Sequence, residues 1–184
     1  MKHALSPNNA NSLMLVIDIQ NKLSPVMAKF EQVKSATLQL ANAAAIYDIP
    51  VLVTQQYVKG LGETDAVLKG TFNNVSYFDK VHFSAFKEPG FKSFIENYNK
   101  PQVIVVGMEA HVCVLQTCLD LLAYGYHVFL VADAICSRNS RHCDIAINQL
   151  RSAGAIITCA ETIIFQWAEV SDTEAFKKIL KIVK

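Results

Sequence analysis

Residues 105–118 read VVGMEAHVCVLQTC. The stretch is β-branched up to a break at Gly107 and resumes with helical spacing, so Cys113 falls one residue into a helix predicted over 112–124. The first turn of a helix carries free N–H groups and partial positive charge, and both favour thiolate over thiol. The same N–H groups could hold the oxyanion formed when sulfur attacks a carbonyl. A cysteine nucleophile also needs a base. His111 is two residues away, but on a turn the two side chains need not converge. Asp18, in VIDIQ, ends another apolar run and could serve as base from a neighbouring strand. Lys80 would share a face with His82 if 79–83 is extended, and could keep Asp18 ionised and polarise a substrate. Each residue also has a plainer reading. Cys113 is one of five cysteines, with Cys118, Cys136, Cys143 and Cys159, and a reduced cysteine is commonly a small buried hydrophobe. A carboxylate ending a strand can cap a helix or anchor a loop, and a lone lysine can be a solvated surface charge. Asp133, ending HVFLVAD, reads as such an anchor, paired with Arg138 or Arg141. Cys118 lies well round the helix from Cys113, which argues against a paired-thiol redox site.

The elements that must position these residues alternate along the chain. SLMLVID (12–18) is nearly all apolar, as a central parallel strand should be. A helix follows over 26–47, with Val26, Phe30, Val33, Ala36, Leu40 and Ala44 near helical spacing, and Pro50 precedes the strand VLVTQ (51–55). Residues 56–78 contain Gly60, Gly62 and Gly70 and little periodicity, and read as a long functional loop. A short strand or edge is predicted at 79–86, a helix at 90–99, and strands at 102–107, 127–133 and 155–160. Helices are predicted at 140–153, from Thr162 to Trp167 and from Asp172 to Val183, with Asp172 as N-cap. Strand and helix alternate with Gly or Pro at the joints. This implies an α/β fold with a mainly parallel sheet and helices on both faces, and ligands in such sheets bind at the carboxyl ends of the strands.

The chain of 184 residues is expected to form a single domain over 1–184, with residues 1–11 flexible. Lys plus Arg number 17 against 16 Asp plus Glu, and no dense basic run occurs, so no nucleic-acid partner is expected. No apolar run approaches the ~18 residues of a membrane span, and MKHALSPNNANS lacks a signal-peptide core. With scattered cysteines and no C-x-x-C or zinc spacing, the expected location is the cytoplasm.

Taken together, the motifs resemble the isochorismatase-like cysteine hydrolases, a superfamily that includes isochorismatases, nicotinamidases and N-carbamoylsarcosine amidases. The matching pieces are LMLVIDIQ, FDKVHFSAF and VIVVGMEAHVCVLQTCLDLLAYGYHVFLVADAICSRN. TQQYVKGLGET and SAGAIITCAETIIFQW are similar to the isochorismatase-domain-containing subgroup in particular. Any one piece is weak, but the ordered set is specific. The resemblance implies a Rossmann-like three-layer sandwich with a six-stranded sheet. It implies an Asp-Lys-Cys triad at Asp18, Lys80 and Cys113, with the cysteine as nucleophile, the aspartate as base and the lysine supporting both charges. It also implies a cis peptide at Met108–Glu109 that turns the Glu109 N–H toward the site, to form an oxyanion hole with the Cys113 N–H. Gln20, Gln56, Tyr57 and His111, which follow strand ends or adjoin the triad, are candidate substrate-binding residues. Nicotinamidases carry an Asp/His metal cluster after the second strand. TQQYVKGLGE has no His and no Asp, so no catalytic metal and no cofactor are expected, and nicotinamidase ranks low. EAH stands where many amidases have a Thr-Asp type sequence, which leaves the substrate open. The reading is a metal-independent cysteine hydrolase of a small amide, ester or related C–N/C–O substrate, acting on a small molecule as a homo-oligomer, dimer or higher. Isochorismatase proper, which cleaves a vinyl ether and releases pyruvate, is an alternative. A non-catalytic interaction protein that keeps the fold is another, and the intact triad counts against it.

Overall fold

The computed structural model describes His3 and residues 5–184. Six strands form one parallel sheet: β1 (Ser12–Ile17), β2 (Val51–Gln56), β3 (Val75–Lys80), β4 (Gln102–Met108), β5 (His127–Cys136) and β6 (Ile156–Thr158), in the order β3-β2-β1-β4-β5-β6. Every residue of β1, β2 and β4 is buried, which requires cover on both faces. The alternation of side chains sorts each strand into two cores. Met14, Val16, Ile104 and Val106 face one, with Val33, Leu40, Ile163, Trp167 and Ile179 from the helices α1 (Phe30–Ile46), α7 (Ala160–Ala168) and α8 (Glu174–Val183). Leu13, Leu15, Ile17, Val103 and Val105 face the other, with Phe91, Val114, Leu121 and Leu150. Those belong to α4 (Phe91–Glu96), the turn before α5 (Leu115–Ala123), α5 itself and α6 (Ser140–Ala153). The sheet is thus sandwiched between two helical layers, as expected.

Strand order reverses between β1 and β4, since β1 is followed by β2 on one side and β4 lies on the other. The crevice above such a reversal is where ligands bind in open parallel sheets. Asp18 follows β1 and Cys113 follows β4, so both stand at this point.

Several boundaries differ from the sequence expectation. The third strand is Val75–Lys80, not 79–86, because its ladder with β2 runs from Val51–Val75 to Gln56–Lys80. The chain then bends through 81–84. The supposed loop 56–78 holds α2 (Val58–Leu61), α3 (Ala66–Thr71) and most of β3. Asp65, capping the Val67 and Leu68 N–H groups, starts α3. Thr173 rather than Asp172 caps α8, its hydroxyl accepting from the Phe176 N–H at 3.0 Å. β5 continues past Asp133 to Cys136, because its register with β4 shifts between Val105 and Gly107. Asp133 therefore does not end a strand, and its carboxylate accepts from the Ala160 N–H at 2.9 Å, tying β5 to the start of α7. The expected partner Arg138 is engaged elsewhere. Of residues 1–11, Met1, Lys2 and Ala4 lie outside the described residues. Asn8 is buried, and its N–H donates to Gln102 Oε1 at 2.9 Å.

Candidate active site

The crevice is built from the ends of β1, β3 and β4. Asp18 takes a left-handed backbone (φ +53°) as the chain leaves β1, and is fully buried. Its Oδ1 accepts from the Thr54 hydroxyl of β2 at 2.7 Å, and its Oδ2 from Lys80 Nζ at 2.7 Å. Lys80 is the last residue of β3 and reaches across β2 to make that contact. Its ammonium also donates to Gln56 Oε1 at 2.6 Å and to the His82 and Phe83 carbonyls at 3.3 Å. Four oxygens thus surround a buried cation, which offsets the cost of removing it from water. His82 does not share an extended face with Lys80. The bend at 81–84 turns its ring outward, 2.8 Å from Glu88. Hydrogen bonds from the His82 ring and from the Val81 and His82 N–H groups hold the Glu88 carboxyl down to about 2.

Cys113 reaches Asp18 and Lys80 from the other side. It lies in a π-helical turn, Ala110–Val114, that precedes α5, rather than in the first turn of a regular α-helix. Gly107 makes this approach possible. Its φ is +132°, and a Cβ there would sit 2.1 Å from the Ile17 carbonyl oxygen. Only glycine lets β4 pass so close to the last residue of β1, one position before Asp18. The sequence marks Gly107 only as a break, and its packing role emerges from the register Ile17–Gly107.

The electrostatics of Cys113 differ from the helix-terminus expectation. The thiol is 6% exposed, and burial, then the Asp18 carboxylate, push it up to about 12 against the pull of Lys80. Hydrogen bonding to both charged groups contributes to that balance. At neutral pH Cys113 is therefore a thiol next to a carboxylate. Cys118 is also raised, by burial alone, with no charged partner acting on it.

The turn between β4 and Cys113 is held on its outer side. The Met108–Glu109 peptide is cis. The Glu109 carboxylate, from a residue 8% exposed, accepts from the Arg138 N–H at 3.1 Å and from Arg138 Nε at 3.0 and 3.2 Å. Burial opposes ionisation of Glu109, but the Arg138 hydrogen bonds and charge outweigh it and hold the carboxyl below its usual value. His111 Nδ1 lies 2.9 Å from the Ser137 hydroxyl, and its ring packs 4.8 Å from that of His142. Sequence reasoning left Thr54, Ser137 and this role of Arg138 unassigned, because all three act through contacts far along the chain.

Asp18, Lys80 and Cys113 thus come together. The remaining candidates divide. Gln20 is fully buried, its amide donating to the Gln56 and Gly62 carbonyls at 2.9 and 2.6 Å while its oxygen accepts from the Gln56 N–H at 2.8 Å. Gln56 in turn joins Lys80 to the Val81 carbonyl. Both glutamines are directed at the protein's own groups, as a frame behind Lys80. Tyr57 is exposed and left-handed (φ +38°), and with Lys59, Lys80 and Glu88 it lines a cavity of about 320 Å³. Among the described residues, no group of three or more His, Cys, Asp or Glu side chains is placed to hold a metal ion.

Comparison with known proteins identifies the family and the fold. The isochorismatase domain family model matches residues 12–162. The secreted isochorismatase effector Isc1 of Phytophthora sojae is 35% identical over 178 residues, covering 95% of this chain and 85% of its own. The structure of MAR1 ribonuclease from Caenorhabditis elegans superposes with a TM-score of 0.90 at 38% identity, covering 97% of this chain and 92% of that one. YcaC from Pseudomonas aeruginosa, solved with hexane-2,5-diol and covalent acrylamide, gives 0.89 at 25% identity over 96% and 91%. With the family model spanning all three strands of the crevice and all three residues that meet there, the chain belongs to the isochorismatase family, a hydrolytic family.

Proposed function

We propose that the chain is a metal-independent cysteine hydrolase of a small amide, ester or related C–N/C–O substrate, with Cys113 as nucleophile, Asp18 as base and Lys80 as their counter-charge. The observation that carries this reading is the buried Lys80–Asp18 pair at 2.7 Å with the Cys113 thiol drawn into the same group. A buried ion pair gains little stability over apolar packing, so a packing role alone gives no reason for it. A protonated thiol beside it does.

In the proposed reaction the sulfur bonds to the substrate carbonyl carbon as the thiol proton passes to Asp18. The oxygen becomes an oxyanion held by the backbone N–H groups of Glu109 and Cys113. Collapse breaks the C–N or C–O bond, and the leaving amine or alcohol takes the proton from Asp18. Water then attacks the thioester, giving its proton to Asp18, which returns it to the departing sulfur. Base catalysis contributes about 10²–10⁴-fold, and an oxyanion donor about 10²–10³-fold. The covalent acrylamide in the Pseudomonas relative supports a nucleophile in this fold. Tyr57 and His111 are the candidates for contacting substrate, and Gln20 and Gln56 support the site from behind. The exposed apolar side chains of Tyr57, Val81 and Phe83 support assembly of the chain into a homo-oligomer. The five free thiols fit a reducing compartment such as the cytoplasm.

A panel of small amides, esters and carbamates, together with isochorismate and RNA, tests the reading. Turnover of an acyl compound, lost by about 10³-fold or more in Cys113→Ala and by about 10²–10⁴-fold in Asp18→Asn, is the expected result. Pyruvate release from isochorismate would move the assignment to vinyl ether hydrolysis. RNA cleavage that survives Cys113→Ala, or iodoacetamide labelling Cys113 no faster than Cys143, would sink the cysteine mechanism.

A further inference from the structure

Three consecutive residues at the end of β5 run beside the turn that carries Cys113. Cys136 pairs with Met108 in the strand ladder. Ser137 meets His111 at 2.9 Å. Arg138 holds Glu109 through its backbone N–H and Nε, with both carboxylate oxygens engaged. The last contact is the unusual one. Arg138 is 62% exposed at its side chain, yet it spends its Nε and N–H on a carboxylate that is 9% exposed. An apolar residue at 109 would pack there without needing a partner. A buried carboxylate demands donors, and a charge-assisted fork also fixes orientation as a packing contact does not.

We propose that Arg138 is a positioning residue for acyl transfer, its hold on the Glu109 side chain fixing the peptide whose N–H receives the oxyanion. This inference rests on the hydrolase reading above. Arg138 touches neither sulfur nor substrate in this scheme. It acts through the geometry of residue 109, and a misplacement near 1 Å at such a donor is worth about 10²-fold in rate. The base is held separately, by the Thr54 hydroxyl and the Lys80 ammonium at the carboxyl ends of β2 and β3. Loss of Arg138 therefore leaves the base in place and acts on residue 109, and through it on the oxyanion.

Two probes separate these effects. Hydrolysis of p-nitrophenyl acetate passes through an oxyanion. Alkylation by iodoacetamide displaces iodide at a saturated carbon and forms none. For Arg138→Gln, kcat for the ester should fall about 10²-fold with KM nearly unchanged, while the Cys113 alkylation rate, followed by peptide mass spectrometry, stays within about 3-fold of wild type. Arg138→Lys keeps the charge and one donor, and should recover about 10-fold of the loss. The inference is overturned if both variants hydrolyse the ester like wild type, or if alkylation falls in step with hydrolysis in both. A wild-type chain that alkylates at Cys113 but cleaves no acyl substrate would instead overturn the hydrolase reading, and this inference with it.

Discussion

The Cys113 thiol sits between two opposing charges, and the carboxylate dominates. Burial and Asp18 raise it to about 12, and Lys80 lowers it. A thiol so placed is a poor free nucleophile, so attack and proton transfer to Asp18 must be coupled. The consequence for Asp18→Asn is counterintuitive. Removing the carboxylate removes a charge that raises the thiol and leaves the Lys80 ammonium beside it. The Cys113 thiolate should then form at lower pH than in wild type, seen as 240 nm absorbance relative to a Cys113→Ser background. Hydrolysis should nevertheless fall about 10²–10⁴-fold, because the base is gone. A thiolate that titrates at the same pH or higher in Asp18→Asn would mean that Asp18 does not govern the proton on sulfur.

At the scale of elements, Gly107 decides how closely two strands approach. An added Cβ would lie 2.1 Å from Ile17 O and 2.7 Å from Ile17 N, both backbone atoms that cannot swing aside. Gly154, at the end of α6, also has positive φ (+105°), but a Cβ there meets nothing within 4 Å. Gly154→Ala should thus cost only the conformational term, about 1 kcal/mol. Gly107→Ala adds a backbone clash, and should cost about 3 kcal/mol or more and forfeit activity. Urea unfolding of the two variants checks this, and equal losses would show that β1 and β4 are not held together as described. The contrast also shows what was legible in the sequence. Strands buried on both faces announce themselves as unbroken apolar runs, so β1, β2, β4 and β5 were readable, and the residues at their ends followed. β3 was misplaced because VSYFDK lies at a sheet edge, half-buried, and lacks such a run. The triad positions came from motifs, whereas Thr54, Ser137 and Arg138 were not legible. Their roles depend on pairings 36, 26 and 29 residues away in sequence. The π-turn at 110–114 has the composition of an ordinary helix start, and the burial and the Asp18 carboxylate that raise the Cys113 thiol depend on tertiary packing the sequence does not display.

At the scale of the whole molecule, the site stands where strand order reverses, and three apolar side chains stand exposed on the segments that flank Lys80, alongside the charged Lys59, Asp79 and Glu88. Val81 is 63% exposed, Phe83 56% and Tyr57 55%, all within the segments that flank Lys80. Single exposed apolar residues are ordinary, but three on the segments beside the buried Lys80–Asp18 pair make a surface suited to a partner. A second copy of the chain would satisfy it without any further component, and symmetric self-association is the commonest form of oligomer. Static light scattering should therefore return a multiple of the 20.4 kDa chain mass. Phe83→Glu, which places a charge on that surface, should shift the mass toward the monomer while leaving far-UV circular dichroism unchanged. If closure of the crevice depends on the second copy, acyl turnover should fall with the dissociated fraction as protein is diluted. A wild-type mass of one chain at micromolar concentration would refute assembly through this surface.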